Sequence, residues 1–227
     1  MKRALWALLL VAACDGNPFL PEEDEPLPPG PKDPTARDAI RRTETADDEV
    51  GNGYAGGFRY DAATDTFRVT GLHFDGDADE GIYAREDRVG SLGPYAVYEG
   101  PTTNADGNFA QFAHRAIYGV DPDGDVAFGI VRTGDYREYG FGGWFYERNG
   151  RVVLPTVSGQ RRYTGDYAAL RDFDGAGGLE YATGDMEMVI DFDAFTTGDF
   201  ENRNAVYGEV SNRRILDING RDITASV

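Results

Sequence analysis

Short segments in which apolar and polar residues alternate limit this chain to a β-sheet fold. In the stretch GGFRYDAATDTFRVTGLHF at 56–74, Phe58 and Tyr60 alternate with polar residues, and the pattern resumes at Phe67 after a turn at 61–65. Alternation with a period of two places one apolar face on a pleated strand. The chain also holds 30 Gly, 13 Phe and 13 Tyr, residues that favour turns and pleated surfaces over helices. We therefore expect an all-β protein.

Turn signals and strand patterns divide the folded part of the sequence into two regions. DPDGD at 121–125 predicts a turn between two apolar segments, and RNGR at 148–151 carries the Asn-Gly hairpin signal. Residues 186–192 alternate between apolar and mostly polar side chains, which fits the wall of a barrel or sandwich. We predict a small β-rich module over 51–150 and strands of an antiparallel β-barrel, complete or partial, over 151–227.

The tripeptide Thr-Gly-Asp occurs four times, and a large apolar residue follows each copy. The copies are RTGDY at 132–136, YTGDY at 163–167, ATGDM at 182–186 and TGDF at 197–200. A ligand-binding motif used four times is one explanation, and a backbone geometry needed four times is the other. Because glycine permits a bend or a close backbone approach inside a sheet, we favour the geometric explanation.

The N-terminus has the layout of a secretory signal. Two basic residues, Lys2 and Arg3, precede an apolar run at 4–13, and small residues lead to Cys14, the only cysteine. The run is too short to span a bilayer of roughly 30 Å as a helix. The stretch LVAAC resembles the lipobox of bacterial lipoproteins, which implies that a signal peptide at 1–13 is removed and that Cys14 is the lipid attachment site. An ordinary signal peptide with an incidental cysteine is the alternative.

A proline-rich, acidic segment follows the cysteine. Seven of the eleven prolines lie in NPFLPEEDEPLPPGPKDP at 17–34, and proline favours extended polyproline II. We predict that residues 14–50 form an unstructured tether, with a transient helix over 35–50 as the alternative. The lipid and the tether together predict a domain held at the cell envelope, with the outer membrane favoured over the inner one.

The second half of the chain resembles a family of Gram-negative surface lipoproteins. SGQRRYTGDYAALRDFDGAGGLEYATGDMEMVIDFDAF at 158–195, followed by VYGEVSNRRI at 206–215, is similar to the β-barrel half-lobe of transferrin-binding protein B. The matching residues are Gly159, Tyr163, Gly165, Gly175, Gly177, Gly178, Asp191, Phe192, Gly208, Val210 and Asn212. The resemblance implies an eight-stranded barrel, of which about four strands follow Pro155 here. Either strands from 51–150 complete this barrel, or the chain is a member shortened at its C-terminus.

An acidic stretch partly matches a calcium-binding loop. DGDADEGIYARE at 75–86 has carboxylates at alternate positions and at the twelfth, as in an EF-hand loop, although Glu80 stands where that loop requires glycine. Acidic turns that face water are the alternative explanation. The weak calcium candidates are Asp75, Asp77, Asp79 and Glu86.

The charge and the motifs argue against several other functions. A formal net charge of −18 opposes binding to nucleic acid. The chain has two histidines, His73 and His114, and no second cysteine, which argues against a zinc site, and we expect no cofactor. The segment GFGG at 140–143 lacks the Lys-Ser/Thr of a phosphate loop, and the serines lack a nucleophile-elbow context.

These observations predict a non-enzymatic lipoprotein that binds a protein or a small solute at the cell envelope, as the resemblance also implies. A structural envelope lipoprotein is one alternative, and an enzyme acting on polysaccharide is a less favoured one. Aromatic side chains are the candidates for ligand contact because aromatic residues are enriched where proteins bind partners. They are Tyr95, Tyr98, Tyr136, Tyr139 and Trp144.

Overall fold

A computed structural model of the chain describes residues 40–43, 55, 57–70, 81–100, 114–134, 142–149, 158–173, 175–195 and 205–226. These residues form two antiparallel β-sheets and contain no α-helix, so the all-β prediction is confirmed. Two short 3-10 turns, Asp193–Phe195 and Thr224–Ser226, follow the last two strands. The strands are β1 (Ile40–Thr43), β2 (Gly57–Asp61), β3 (Thr66–Thr70), β4 (Gly81–Arg85), β5 (Ser91–Leu92), β6 (Tyr95–Glu99), β7 (His114–Val120), β8 (Val126–Thr133), β9 (Gly142–Arg148), β10 (Gln160–Arg171), β11 (Glu180–Asp191) and β12 (Val206–Leu216).

The larger sheet contains nine strands and curls into a half-barrel. Its strand order is β1-β9-β8-β7-β6-β4-β3-β2, and β5 pairs with β6 beside this path. The curl brings strands near its two ends together, because the rings of Phe58 on β2 and Phe145 on β9 stack with their centroids 4.6 Å apart. The amide of Ala55, just before β2, also donates to the carbonyl of Gly142 at the start of β9, 3.3 Å away. The curled sheet therefore wraps around an interior of its own.

Aromatic side chains fill that interior. Phe67 on β3 has no exposed surface. Offset and edge contacts between rings stabilise a core by about 0.5–1.5 kcal/mol each beyond the burial of area. The Phe67 ring centroid lies 5.6 to 6.5 Å from those of Phe58, Tyr83, Tyr98, Tyr118 and Phe145.

The predicted turns at 61–65 and 121–125 both connect adjacent strands of the curled sheet. In the second, Gly124 has a φ of 71°, a conformation in which a side chain would be strained. The Asp121 carboxylate closes this turn by accepting the amide of Val126 at 2.8 Å. The Gly and Asp of the turn signal therefore each have a defined mechanical role.

The smaller sheet has three strands, which are the longest in the protein's described part. β10 and β11 have 12 residues each and β12 has 11, in the order β10-β11-β12. The register shifts between Thr183 and Asp185, where Asn212 adopts a φ of 49° and donates its side-chain amide to Asp185 Oδ2 at 2.6 Å. This is a β-bulge, which bends a strand and increases its twist.

One half of the smaller sheet packs on the outer face of the curled sheet and forms a second core. Tyr181 and Leu216 from the smaller sheet have no exposed surface and pack with Val97 and Ile117 of the curled sheet. β7 separates the two cores, since Tyr118 points into the half-barrel while its neighbour Ile117 faces the smaller sheet. The other half of the smaller sheet extends past this contact, and its side chains are largely exposed.

Three of the four Thr-Gly-Asp copies lie within the described ranges, and their glycines occupy different environments. Gly134 directly follows β8, and a Cβ there would come within 1.9 Å of the Gly178 carbonyl oxygen in the β10–β11 loop. Gly184 lies at the bulge, where a Cβ would come within 2.7 Å of the Ser211 carbonyl oxygen. Gly165 has open space around it, and the copy at 197–200 lies outside the described residues. Close backbone approach thus explains two of the three described copies.

The structure differs from the sequence expectations in two places. Residues 40–43, expected in the unstructured tether, form an edge strand that pairs with β9. The pairing satisfies the backbone groups of β9 on that side, a long-range effect that the local sequence does not show. The curled sheet also lies before residue 150, whereas the strands after 158 form the separate smaller sheet within the described ranges. Strands of the two regions therefore do not combine into one barrel there.

Candidate functional site

A cleft between the two sheets is the most promising site in the described part of the chain. It has a volume of about 430 Å³, within the range of cavities that hold small ligands. β7 and the end of β8 form its floor, the loop between β10 and β11 forms one wall, and the turn after β12 forms the other. The lining residues are Arg115, Gly134, Phe173, Gly177, Gly178, Leu179, Glu180, Asp217, Ile218 and Asn219.

Close contact between two glycines sets the geometry of the cleft. The Gly178 amide donates to the Gly134 carbonyl at 2.7 Å, which ties the β10–β11 loop to the end of β8. Gly178 has a φ of 128°, and the space around Gly134 admits no side chain. Both positions therefore require glycine, and the loop cannot close further onto the floor.

Arg115 on β7 lies at the floor of the cleft with only 6% of its surface exposed. Its Nη1 forms an ion pair with Glu99 Oε1 at 2.9 Å and donates to the His114 carbonyl at 3.2 Å. Its Nε donates to the Tyr181 hydroxyl at 3.2 Å. A guanidinium has five N–H donors. The bonds that described residues make to it use Nε and Nη1, and the Arg115 side chain lines the cleft.

The Tyr181 hydroxyl stays protonated beside this arginine. Burial raises the pKa of Tyr181 above its ordinary value, and the Arg115 charge lowers it only in part. The hydroxyl is neutral, and the described ion-pair partner of Arg115 is Glu99, whose side chain is 32% exposed. A bound anion would compete with that partly solvated carboxylate for the same guanidinium.

The acidic residues that line the cleft are engaged with other arginines. Glu180 Oε2 pairs with Arg171 Nη1 at 2.8 Å. Asp217 Oδ2 pairs with Arg221 Nη2 at 3.1 Å, and Asp217 Oδ1 accepts the amides of Asn219 and Arg221 at 2.9 Å each. These contacts hold the two walls in place. Phe173, Leu179 and Ile218 add apolar surface to the walls, and Asn219 adds a polar side chain.

A second polar cluster lies inside the half-barrel and has a structural role. The hydroxyls of Tyr60 and Tyr98 donate to Asp65 Oδ1 at 3.1 and 2.7 Å, and Arg85 Nε pairs with Asp65 Oδ2 at 3.1 Å. Burial, reinforced by Asp65, raises the pKa of Tyr60 to about 12. Burial also raises the pKa of Tyr98 above its ordinary range. Every member of the cluster thus has a partner, and the cluster closes one end of the aromatic interior.

An apolar groove runs along the outer face of the curled sheet beside β10. It has a volume of about 210 Å³, with Tyr95, Phe128 and Ile130 on one side and Tyr167 and Ala168 on the other. The Tyr95 ring contacts the Phe128 ring edge-on at 5.6 Å, and its hydroxyl donates to the Asp166 carbonyl at 2.8 Å. This hydrogen bond fixes the smaller sheet against the larger one, so the groove is part of the junction between them.

The structure separates the predicted contact aromatics. Tyr95 lies at the groove just described, and Trp144 is 41% exposed on the outer face of β9. Tyr98 lies in the interior with no exposed surface, so its predicted place on a contact surface is wrong, because its side chain points to the concave face of β6. Tyr136 and Tyr139 lie outside the described residues.

The remaining predicted site residues are largely beyond the described ranges. Cys14, Asp75, Asp77 and Asp79 fall there. Glu86 is described and is buried with 2% of its surface exposed. Its Oε2 accepts the amides of Arg88, at 2.9 Å, and of Val89, so the carboxylate already closes a local turn. Among the described residues, no group of three or more His, Cys, Asp or Glu side chains is placed to hold a metal ion.

Sequence reasoning missed Arg115, the central polar residue of the cleft. The signal was present, because the segment HRAIYGV is mostly apolar after its first two residues and a charge inside a buried strand requires a partner. The partners, Glu99 and Tyr181, are distant in sequence, so the spacing of residues alone does not show them.

Comparisons with protein-family models, with curated proteins and with solved structures find no match to this chain. None of the helical turns in the described ranges is long and apolar enough to cross a membrane.

Proposed function

We propose that this protein is a lipid-anchored, non-enzymatic binding protein of the cell envelope, and that its ligand is a small solute bound in the cleft between the two sheets. The observation that carries the proposal is Arg115, a buried cation that lines a cleft of about 430 Å³. Such a pairing of one oriented charge with an enclosing surface is typical of small-molecule sites.

The chemistry of the cleft favours a ligand with an apolar body and one anionic group. Phe173, Leu179 and Ile218 provide the apolar walls, and Arg115 provides the donors for a carboxylate or a phosphate. The acidic side chains of the walls are paired with Arg171 and Arg221, so they do not oppose the anion strongly. This arrangement supports binding of an anion.

Binding should be tested with a panel of aliphatic and aromatic carboxylates, each paired with its neutral amide, by calorimetry on the full chain. We expect at least one carboxylate to bind saturably and its amide to bind about tenfold more weakly, because the amide loses the charge-assisted hydrogen bond. Absence of binding by every carboxylate and by the corresponding phosphates at millimolar concentration would refute the proposed ligand class.

A pair of neighbouring variants can show that binding occurs in the cleft. Gly177 lines the cleft and has room for a side chain. A Cβ added there would lie 3.5 Å from its nearest neighbouring atom, the Gly134 carbonyl oxygen. Gly177→Leu should fill the cleft and reduce affinity at least about tenfold. Ala176→Leu, at an exposed position that does not line the cleft, should leave it unchanged. Equal affinities of the two variants would place the ligand elsewhere.

The lipid anchor is supported by the LVAAC stretch and by the resemblance to transferrin-binding protein B lipoproteins. Both features belong to the sequence, and membership of that family is part of the proposal. Expression of the chain in a Gram-negative host with radiolabelled palmitate should label the wild type and leave Cys14→Ser unlabelled. A labelled Cys14→Ser variant, or a wild type that fractionates with the soluble proteins, would contradict the anchor.

A further inference from the structure

The first half of β10 is an uncovered strand edge. β10 pairs with β11 on one side, and no described strand pairs with its other edge. Residues 160–166 are exposed at every position, and the curled sheet reaches this half at its end, where the Tyr95 hydroxyl donates to the Asp166 carbonyl at 2.8 Å. The segment contains no proline, and its register with β11 is unbroken. A long, regular edge of this kind is a template for a further strand.

We propose that this edge binds the same edge of a second copy of the chain, in an antiparallel pair with Thr164 on the two-fold axis. The sequence from 161 to 167, RRYTGDY, is complementary to itself in this register. Arg162 then lies opposite Asp166 of the second copy, and Tyr163 lies opposite Gly165 of the second copy. The two-fold axis repeats both pairs, as in the self-complementary interfaces of symmetric dimers.

Charge complementarity is the first argument that a second copy of the chain binds this edge. Directly opposed residues of an antiparallel pair place their side chains on the same face, within contact distance. The Arg162 side chain is 68% exposed although Nη1 contacts Glu187 Oε2 at 2.9 Å, so a second carboxylate can reach this side chain. Asp166 of the second copy would supply that carboxylate, and the axis would create the pair twice.

The apolar face of the same strand supplies the second argument. Tyr163 is 44% exposed. A Cβ built on Gly165 would meet only Met186 Cε, at 4.0 Å, so the space above Gly165 is open. A tyrosine ring placed over a cross-strand glycine covers the exposed backbone and compensates for the missing side chain. Tyr163 of each copy would thus cover the exposed backbone at Gly165 of the other copy.

The charge pair specifies one register of the two β10 strands. The other edge of the smaller sheet, β12, is less available for pairing. Sliding the pair by one residue places Arg162 opposite Gly165 or Tyr167, and the charge pair is lost. The end of β12 is already covered by its own chain, since Ile223 donates its amide to the Ile215 carbonyl at 2.9 Å and Leu216 bridges to Asp222. The favoured partner of β10 is therefore a second β10.

Disulfide trapping tests the register directly in the full chain with Cys14→Ser, which leaves an introduced cysteine as the only thiol. Thr164→Cys faces its own copy, and we expect it to form covalent dimers on mild oxidation at least about tenfold faster than Arg213→Cys, an exposed control on β12. A mixture of Arg162→Cys and Asp166→Cys should give a mixed dimer in preference to either homodimer. Equal rates for Thr164→Cys and Arg213→Cys, or no preference in the mixture, would overturn the proposed register.

Charge reversal provides an independent measurement without a covalent bond. Analytical ultracentrifugation of the wild type should show a reversible dimer at submillimolar concentration. Arg162→Asp should raise the dimer dissociation constant about tenfold, since both copies lose an ion pair and gain a like-charge contact. The double variant Arg162→Asp/Asp166→Arg should restore the wild-type constant. A monomeric wild type, or a dimer that the single variant leaves unchanged, would refute the interface, and circular dichroism would confirm that each variant is folded.

Discussion

The two sheets of this protein are stabilised in opposite ways. The curled sheet is built from short strands, none longer than the eight residues of β8, and it encloses fully buried aromatic rings such as Phe67, Tyr83 and Tyr98. The smaller sheet has strands of 11 or 12 residues, yet the first seven residues of β10 are all exposed. Strand length therefore does not indicate burial in this fold. The curled sheet has its own core, while the smaller sheet depends on the core that it shares with the curled one.

The largest expected effect lies in the interior of the curled sheet. Phe67→Ala should lower the free energy of unfolding by about 4 kcal/mol, because it removes a fully buried ring and leaves a cavity among the surrounding aromatics. Phe128→Ala is a matched control, since Phe128 is 38% exposed on the outer face, and it should cost roughly 1 kcal/mol. Urea denaturation of both variants would measure this. Equal losses would mean that the interior does not dominate stability.

A smaller and more local effect is expected where the two sheets meet. Leu216→Ala removes a side chain without exposed surface from the shared core and should cost about 3 kcal/mol. Hydrogen exchange should then increase in β10 to β12 more than in β6 and β7, because the smaller sheet loses its attachment while the curled sheet keeps its aromatic interior. Uniform exchange in both sheets would show instead that they unfold as a single unit.

Two glycines of the smaller sheet allow a matched test of backbone packing. A Cβ on Gly208 would come within 2.4 Å of the Glu187 carbonyl oxygen, whereas a Cβ on Gly165 would meet only Met186 Cε at 4.0 Å. Gly208→Ala should therefore destabilise the protein by about 2 kcal/mol, and Gly165→Ala should stabilise it by about 0.5 kcal/mol. Thermal denaturation of the two variants would show the opposite signs. A neutral Gly208→Ala would mean that β11 and β12 separate easily.

The smallest effect concerns alkaline pH and Tyr60, a tyrosine of the curled sheet. The pKa of Tyr60 is raised from 10.0 to about 12, chiefly by burial, so the folded state favours the protonated hydroxyl. Its contribution to stability is complete below pH 10 and is lost as the pH rises toward 12. Tyr60→Phe should make the alkaline loss of stability shallower by about 1 kcal/mol, whereas Tyr207→Phe, at a 53% exposed position of β12, should not. Urea titrations at several pH values from 9 to 12 would compare the slopes.

The sequence predicted the parts of the fold that depend on local patterns. The hairpin of Phe58, Tyr60 and Phe67 and the turn at 121–125 follow from alternation and from turn residues, and the structure confirms both. The strand at Ile40–Thr43 was missed, because it exists through its pairing with β9, more than a hundred positions away. Long-range pairing is set by the packing of the whole sheet, which the pattern of one segment does not contain.

The candidate site also combines a feature that the local sequence shows with one that depends on long-range contacts. The charge of Arg115 inside an apolar segment is visible in the sequence, but the cleft around it forms only when the β10–β11 loop reaches Gly134 on the other sheet. The misplacement of Tyr98 has a related cause. In β6 the residues Ala96, Val97 and Tyr98 are all buried, so alternation does not distinguish the concave face from the covered outer face.

The double burial of β7 has a consequence for how this chain finds its fold. Its neighbouring residues Ile117 and Tyr118 belong to different cores. A shift of one residue in the register of β7 would move the side chains of each face to the opposite core. A register error at this strand therefore disrupts the packing of both cores. Substitutions should accordingly accumulate most slowly at residues 114–119. During folding, β7 should be the first strand to settle in its native register.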